Sequence, residues 1–133
     1  MADTLRETKN VKIGQTISDL AESGLGQTEA GHAKALGLLL HEHKGGDVVV
    51  LDLRELNTWT DFFVIATAAS NTHSDGLERH IKNFCQENKI EILRRSRKPE
   101  AQDDEWRLLD LGYIVVHLMS ANARSFYELE RLY

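Results

Sequence analysis

Val48-Val49-Val50-Leu51 and, beyond the polar link Arg54 to Thr60, Phe62-Phe63-Val64-Ile65-Ala66 decide the fold. Neither run alternates apolar with polar, so neither reads as a strand with one face in water. Uninterrupted β-branched and aromatic runs of this length suit strands covered on both faces. Two such strands imply a layered α/β sheet with helices on its faces.

The flanking sequence supplies those helices. Upstream, Ala33, Leu36, Leu39 and Leu40 recur at helical spacing, and Gly45 and Gly46 stop the helix. Downstream, Ser70 or Asn71 can cap a helix whose apolar stripe is Leu77, Ile81, Phe84 and Cys85. Ile90 and Ile92 alternate with charged neighbours, which predicts a more exposed strand, and Arg94, Arg95, Arg97, Lys98 and Pro99 begin a charged loop that runs to Glu105. Trp106 to Leu111 and Ile114 to Met119 flank Gly112-Tyr113, and glycine at the first central position is what a two-residue type II′ hairpin requires. Phe126, Leu129 and Leu132 then predict a closing amphipathic helix. The expected order is αββαβββα. Residues 1–31, with only scattered aliphatics such as Val11, Ile13, Ile17 and Leu20, read as a flexible tail, and residues 32–133 as one α/β domain.

Composition narrows the function classes. The chain has 133 residues, 41% hydrophobic and 28% charged, enough apolar content for a single core. No segment approaches the roughly 20 apolar residues of a membrane span, so a cytoplasmic protein with no membrane contact is expected. The lone Cys85 closes no intrachain disulfide. A formal charge of −5 disfavours nucleic acid as the main ligand and favours a basic protein partner, so no direct sequence-specific nucleic-acid contact is expected.

Catalytic constellations are weak. His41 and His43 point to different sides of a helix, and His73 and His80 stand roughly 10 Å apart along theirs, too far for one ion. His117 sits in an apolar strand and reads as a hydrogen-bonded structural histidine. Asp47, Asp52, Asp61 and Asp110 fall at strand ends, where carboxylates either hold Mg²⁺ or cap turns. No Gly-rich phosphate loop and no nucleophile elbow accompany them. Cys85 lies in a helix stripe and reads as a small buried hydrophobe. The remaining class is a docking surface. Trp106 shares a strand face with Leu108 and Asp110, and serves equally as a core aromatic or as an interface anchor. Arg124, Tyr127 and Arg131 form a second face on the last helix, which periodicity alone reads as solvated.

Four blocks, in this order and spacing, resemble the ribosomal silencing factor family, also called Iojap-like or RsfS-type proteins. They are Gly46-Asp47-Val48 with Leu51-Asp52-Leu53; Thr60 to Thr67 with Ser70 and His73; Trp106 to Gly112 with Val115-Val116-His117; and Arg124 with Phe126 to Glu130. The resemblance covers Ala33 to Tyr133. It implies a mixed, mostly five-stranded sheet with nucleotidyltransferase-like topology and no catalytic loop, hence no enzyme activity, no cofactor and no metal. It also implies binding to the large ribosomal subunit through its ribosomal protein number fourteen, steric exclusion of the small subunit and repression of translation. In organelle relatives, a role in large-subunit assembly is implied as well. Carried over residue by residue, the resemblance makes Trp106 the anchor, sets Asp110, Leu111 and Tyr127 around it, and puts Arg124 and Glu130 toward the rim. The chain departs from the family pattern at Ala68, at Tyr113, in the loop before Trp106 and at Tyr133. Two other classes stay open on the residues: a degenerate nucleotidyltransferase binding a nucleotide and Mg²⁺ through Asp61 and Asp110, and a homodimeric scaffold paired through a sheet edge or the Trp106 face.

Overall fold

The structure is a computed structural model that describes residues 10–12, 29–56, 60–97 and 105–129. Its elements in chain order are β1 (Asn10–Lys12), α1 (Glu29–Glu42), β2 (Gly46–Asp52), a 3₁₀ turn (Arg54–Leu56), β3 (Phe62–Thr67), α2 (Asn71–Glu87), β4 (Arg94–Arg97), β5 (Trp106–Asp110), β6 (Ile114–Met119) and α3 (Ala121–Tyr127). The mixed five-stranded sheet has the order β2-β3-β6-β5-β4, and β1 adds a short strand at the β2 edge.

The two runs that decide the fold behave as their composition dictates. In β2, Val48 to Leu51 are buried, and in β3 so are Phe62 to Ala66. β3 runs parallel to β6, with Phe62 opposite Ile114 and Thr67 opposite Met119, while every other pairing is antiparallel. All six residues of β6 are buried as well. Alternate residues therefore feed two cores. On one face Val48, Val50, Phe62, Val64, Ala66, Leu109, Ile114, Val116 and Leu118 pack against α1 and α2. On the other, Val49, Leu51, Phe63, Ile65, Trp106, Val115 and Met119 pack against Ala123 and Tyr127 of α3 and against Leu129.

Local chemistry sets the ends. After α1 the chain turns through Lys44 at φ +74, Lys44 N–H donates to His41 carbonyl, and Gly45 N–H to Leu40 carbonyl at 2.7 Å, a Schellman closure. A Cβ on Gly45 would stand 2.8 Å from the Leu40 oxygen, so close approach rather than left-handed backbone is what needs glycine there. Ser70 caps α2 by accepting from His73 N–H. At the hairpin, Gly112 has φ +93, Leu111 N–H donates to Ile114 carbonyl, and the Asp110 carboxylate accepts from Gly112 N–H at 2.8 Å.

Three expectations need correction. Ile90 and Ile92 are not strand; they pack partly buried against the helix-side core, and the edge strand forms at Arg94–Arg97 instead, inside the expected charged loop. The hydrogen-bonding edge of β5 recruits whatever follows α2 at the right distance, and arginines on an outermost strand discourage further pairing. Asn10–Lys12, inside the expected tail, pair with Leu51, Val50 and Val49 of β2, and α1 begins at Glu29. Ile13, Ile17 and Leu20, the other aliphatics of that stretch, lie outside the described residues. Third, Phe126 does not face the core (below).

Arg107 is the unusual core residue. It shares a face with Leu109 and Leu111, is 3% exposed, and donates to Asp75 at 2.6 Å and to Glu78 at 3.4 Å, both one helical turn apart on α2. This pins α2 to β5. Removing both acids strands a guanidinium in a dry site, so Asp75→Asn with Glu78→Gln should cost about 3 kcal/mol in urea unfolding, whereas Arg107→Met, which removes the buried charge itself, should cost less than half of that. Equal stability of the double variant and wild type would show that the pairing does not hold the helix.

Candidate functional site

Among the described residues, the face of the sheet under α3 is covered by one seven-residue helix, where the opposite face has two long ones. Ser120 starts α3: its hydroxyl accepts from Ala123 N–H and donates to Glu105, while Ser120 N–H donates to the Glu105 carbonyl. The helix ends after Tyr127, where Glu128 takes left-handed backbone at φ +44. Arg124 ties it to the sheet, donating to Thr67 Oγ1 at 2.9 Å and to the Asp47 carbonyl at 2.6 Å. That carbonyl lies within the register shift between Gly46 and Val49, where Asp47 has φ +43.

A ladder of rings runs from this helix into the core. Phe126 meets Tyr127 edge-on at 4.8 Å, Tyr127 tilts over Trp106 at 4.6 Å, and His117 meets Phe63 edge-on at 4.5 Å. Between the two halves the Trp106 indole N–H donates to His117 Nδ1 at 3.0 Å. An indole can only donate, so His117 Nδ1 is the acceptor and the ring proton sits on Nε2. Burial holds the neutral form and pushes the His117 pKa down to about 3.

The expected site residues separate into groups. Trp106 and Tyr127 are brought together, with Arg124 one helical turn away. Trp106 is only 9% exposed, which makes it the seat beneath Tyr127 and not a projecting anchor. Asp110 is on the same sheet face, as alternation requires, but four residues further along β5, roughly 13 Å away, where its carboxylate caps the hairpin and lies 3.4 Å from Arg94. Leu111 falls on the opposite face, buried among the helix-side core. Glu130, like Leu132, Arg131 and Tyr133, lies outside the described residues.

Phe126, expected in the core stripe with Leu129 and Leu132, is 79% exposed. The stripe assumed a helix continuing through Leu132. Because α3 stops at Tyr127, its inward positions are Ala123 and Tyr127, and Leu129 reaches the core after the left-handed reversal at Glu128. Phe126, one position before Tyr127, is turned outward. The partnership of Trp106 with His117 was also missed; their joint preference for a buried polar mate was the available signal.

Other chemistry is sparse. Among the described residues no group of three or more His, Cys, Asp or Glu is placed to hold a metal ion. His43 and His80 stack ring on ring at 3.5 Å rather than converging their nitrogens. Cys85 is buried, and desolvation pushes its thiol up to about 11, so it is no nucleophile at neutral pH. No helix among the described residues is long and apolar enough to cross a membrane.

His117 gives a pH signature. Its folded pKa lies below the unfolded value, so the unfolded state takes up the proton first; stability is unaffected above about pH 6.5 and falls as pH drops from there toward 3. Between pH 6.5 and 4.5 the wild type should lose about 2 kcal/mol more than His117→Leu in urea titrations. Parallel losses in the two proteins would mean that His117 is protonated in the fold.

Comparison with known proteins agrees with this architecture. Residues 27–133 match the family model described as "Ribosomal silencing factor during starvation". The silencing factor RsfS of Treponema pallidum is 36% identical over 103 residues, which span 77% of this chain and 90% of that protein. The chloroplastic Iojap protein of Zea mays is 35% identical over 101 residues, 76% of this chain but only 42% of the plant protein. A crystal structure of a Chromobacterium violaceum protein superposes with a TM-score of 0.68 at 27% identity, covering 79% of this chain and 86% of the other. The chain belongs to the ribosomal silencing factor family.

Proposed function

We propose that this chain binds the large ribosomal subunit in the cytoplasm through its ribosomal protein number fourteen, and that its bulk there excludes the small subunit and represses translation without catalysing any reaction. The observation that carries the reading is Phe126, a large aromatic left 79% exposed on the short helix whose neighbour Tyr127 is braced by buried Trp106. Isolated apolar exposure is ordinary, but an exposed ring packed edge-on against a braced aromatic is what interface energetics favour, because less side-chain entropy is left to lose on docking. The formal charge of −5 suits a basic partner, with rim charges accelerating encounter. The names of relatives support the particle: several bacterial ones are called silencing factors, and a mouse relative is named "Mitochondrial assembly of ribosomal large subunit protein 1". Obstruction needs only adequate affinity and volume, since two bodies cannot occupy one surface.

Tyr127 and Phe126 make the contact in this reading, Trp106 holds them from beneath, and Arg124 fixes the angle of their helix; Asp110 and Leu111 shape the hairpin, and Glu130 keeps the rim role that the family resemblance implies. Truncating Trp106 would empty a core site and cost roughly 3 kcal/mol of stability, which blurs its use as a test. Phe126→Ala is the clean variant. It should leave unfolding stability within about 0.5 kcal/mol of wild type and weaken co-sedimentation with large subunits by about 2 kcal/mol, near 30-fold. Undiminished co-sedimentation would remove α3 from the docking surface.

A further inference from the structure

The negative balance of the chain is not spread evenly. β4 forms the edge of the sheet beyond β5, and Arg95, opposite Leu109 in register, lies on the same face as Arg107. On this face a single carboxylate, Glu78 of α2, is approached by three cations from three elements. Lys82 Nζ stands 3.3 Å and Arg95 Nε 3.4 Å from Glu78 Oε2, and Arg107 Nη1 stands 3.4 Å from Oε1. Asp75 takes a further bond from Arg107. Between α2 and β4 these groups border an open pocket of about 350 Å³ lined by Asp75, Glu78, Arg79, Lys82 and Arg95. Three cations and two carboxylates line the pocket, with Arg107 buried behind the carboxylates, a local excess of positive charge on a chain whose total is −5.

We infer that this edge is a binding surface for the phosphodiester backbone of RNA. Every described residue lining the pocket is charged, so among these residues it has no apolar seat of the kind that anchors a peptide. What it offers is point charge and N–H donors, the chemistry that positions a nucleic-acid backbone without reading sequence. Glu78 holds the Lys82 and Arg95 heads in place while leaving their side chains 42% and 51% exposed, so the cations are arranged in advance and still reach solvent. The acidic remainder of the surface repels phosphate and directs it to this edge. The pocket lies on the opposite face of the sheet from Trp106, yet Arg107 is its immediate neighbour in β5. A partner reaching around the β5–β4 edge would therefore meet both. That the RNA is part of the large subunit rests on the function proposed above; the affinity for RNA backbone does not.

The test is fluorescence anisotropy of the full chain with a labelled 20-base-pair RNA duplex, titrated in KCl from 50 to 300 mM. Wild type is expected to bind at 50 mM and to weaken steeply with salt. Lys82→Gln with Arg95→Gln, both exposed and leaving Arg107, Asp75 and Glu78 in place, should bind at least tenfold more weakly and lower the slope of log K against log salt by about 2, since each lost phosphate contact removes about 0.9. Circular dichroism and thermal unfolding establish that the variant is folded. Unaltered affinity and slope in the folded variant would overturn the inference, as would wild type that ignores the duplex at 50 mM KCl. Displacement of the duplex by an equally charged polyglutamate peptide would overturn it in favour of an acidic protein. Phe126→Ala separates the two readings, because it should keep RNA binding while losing the subunit; a wild type that binds the duplex but not subunits would sink the proposed function and leave this surface standing.

Discussion

The parallel pairing of β3 with β6 is the constraint from which the rest follows. Two strands buried on both faces cannot sit at an edge, so they take the middle of the sheet, and each must find an outer neighbour. β2 closes one side and β5 the other, the latter delivered by the Gly112-Tyr113 turn. A parallel pair also needs a crossover, and α2 with β4 and β5 supplies it. Because alternate residues face opposite ways, the same pairing obliges the protein to build two cores from one set of strands.

Among the described residues those cores are covered unequally. The helix-side core lies under α1 and α2 and is pinned by Arg107 to two acids of α2. The other lies under seven helical residues and Leu129. A small cover leaves aromatic edges near the surface, and it has to be held by polar bonds: Arg124 to Thr67 and Asp47, Ser120 to Glu105, Trp106 to His117. These bonds fix where Tyr127 and Phe126 stand. Under the proposed function, a docking surface on such a thin, tethered layer can be altered without emptying the helix-side core.

The sheet and the two long helices were legible because their signals are local: β-branched runs, a helix stripe, a serine cap, a glycine at the turn. What escaped was set by partners distant in sequence. Arg94–Arg97 has no strand signature of its own and becomes strand because β5 offers an unpaired edge. Phe126 was misplaced because periodicity assumes that a helix continues, and the left-handed Glu128 that ends α3 carries no glycine to announce it. Trp106 was balanced between core and interface on its residue type. Its hydrogen bond to His117, eleven residues away across the β5–β6 hairpin, decides for the core while leaving it directly beneath the candidate surface. Leu111, which follows the strand of Trp106, and Asp110, the last residue of that strand, end up respectively on the opposite face and at the far end, since adjacency along a strand separates side chains as readily as it unites them.

Charge and apolarity are divided between the two faces along the same strand, and under the proposed function this division bears on how an obstructing protein achieves specificity. A single greasy patch would attract many surfaces, and a single cationic pocket would attract any nucleic acid. Trp106 and Arg107, buried neighbours in β5 pointing to opposite faces, brace one kind of surface on each side of the sheet. Only a partner that presents protein and phosphate at the matching separation satisfies both, and a particle made of RNA and basic protein is such a partner. Each contact alone can be weak, because the second forms at the effective concentration set by the first. A rigid six-stranded sheet fixes that separation, so the fold itself sets the geometry that a partner must match.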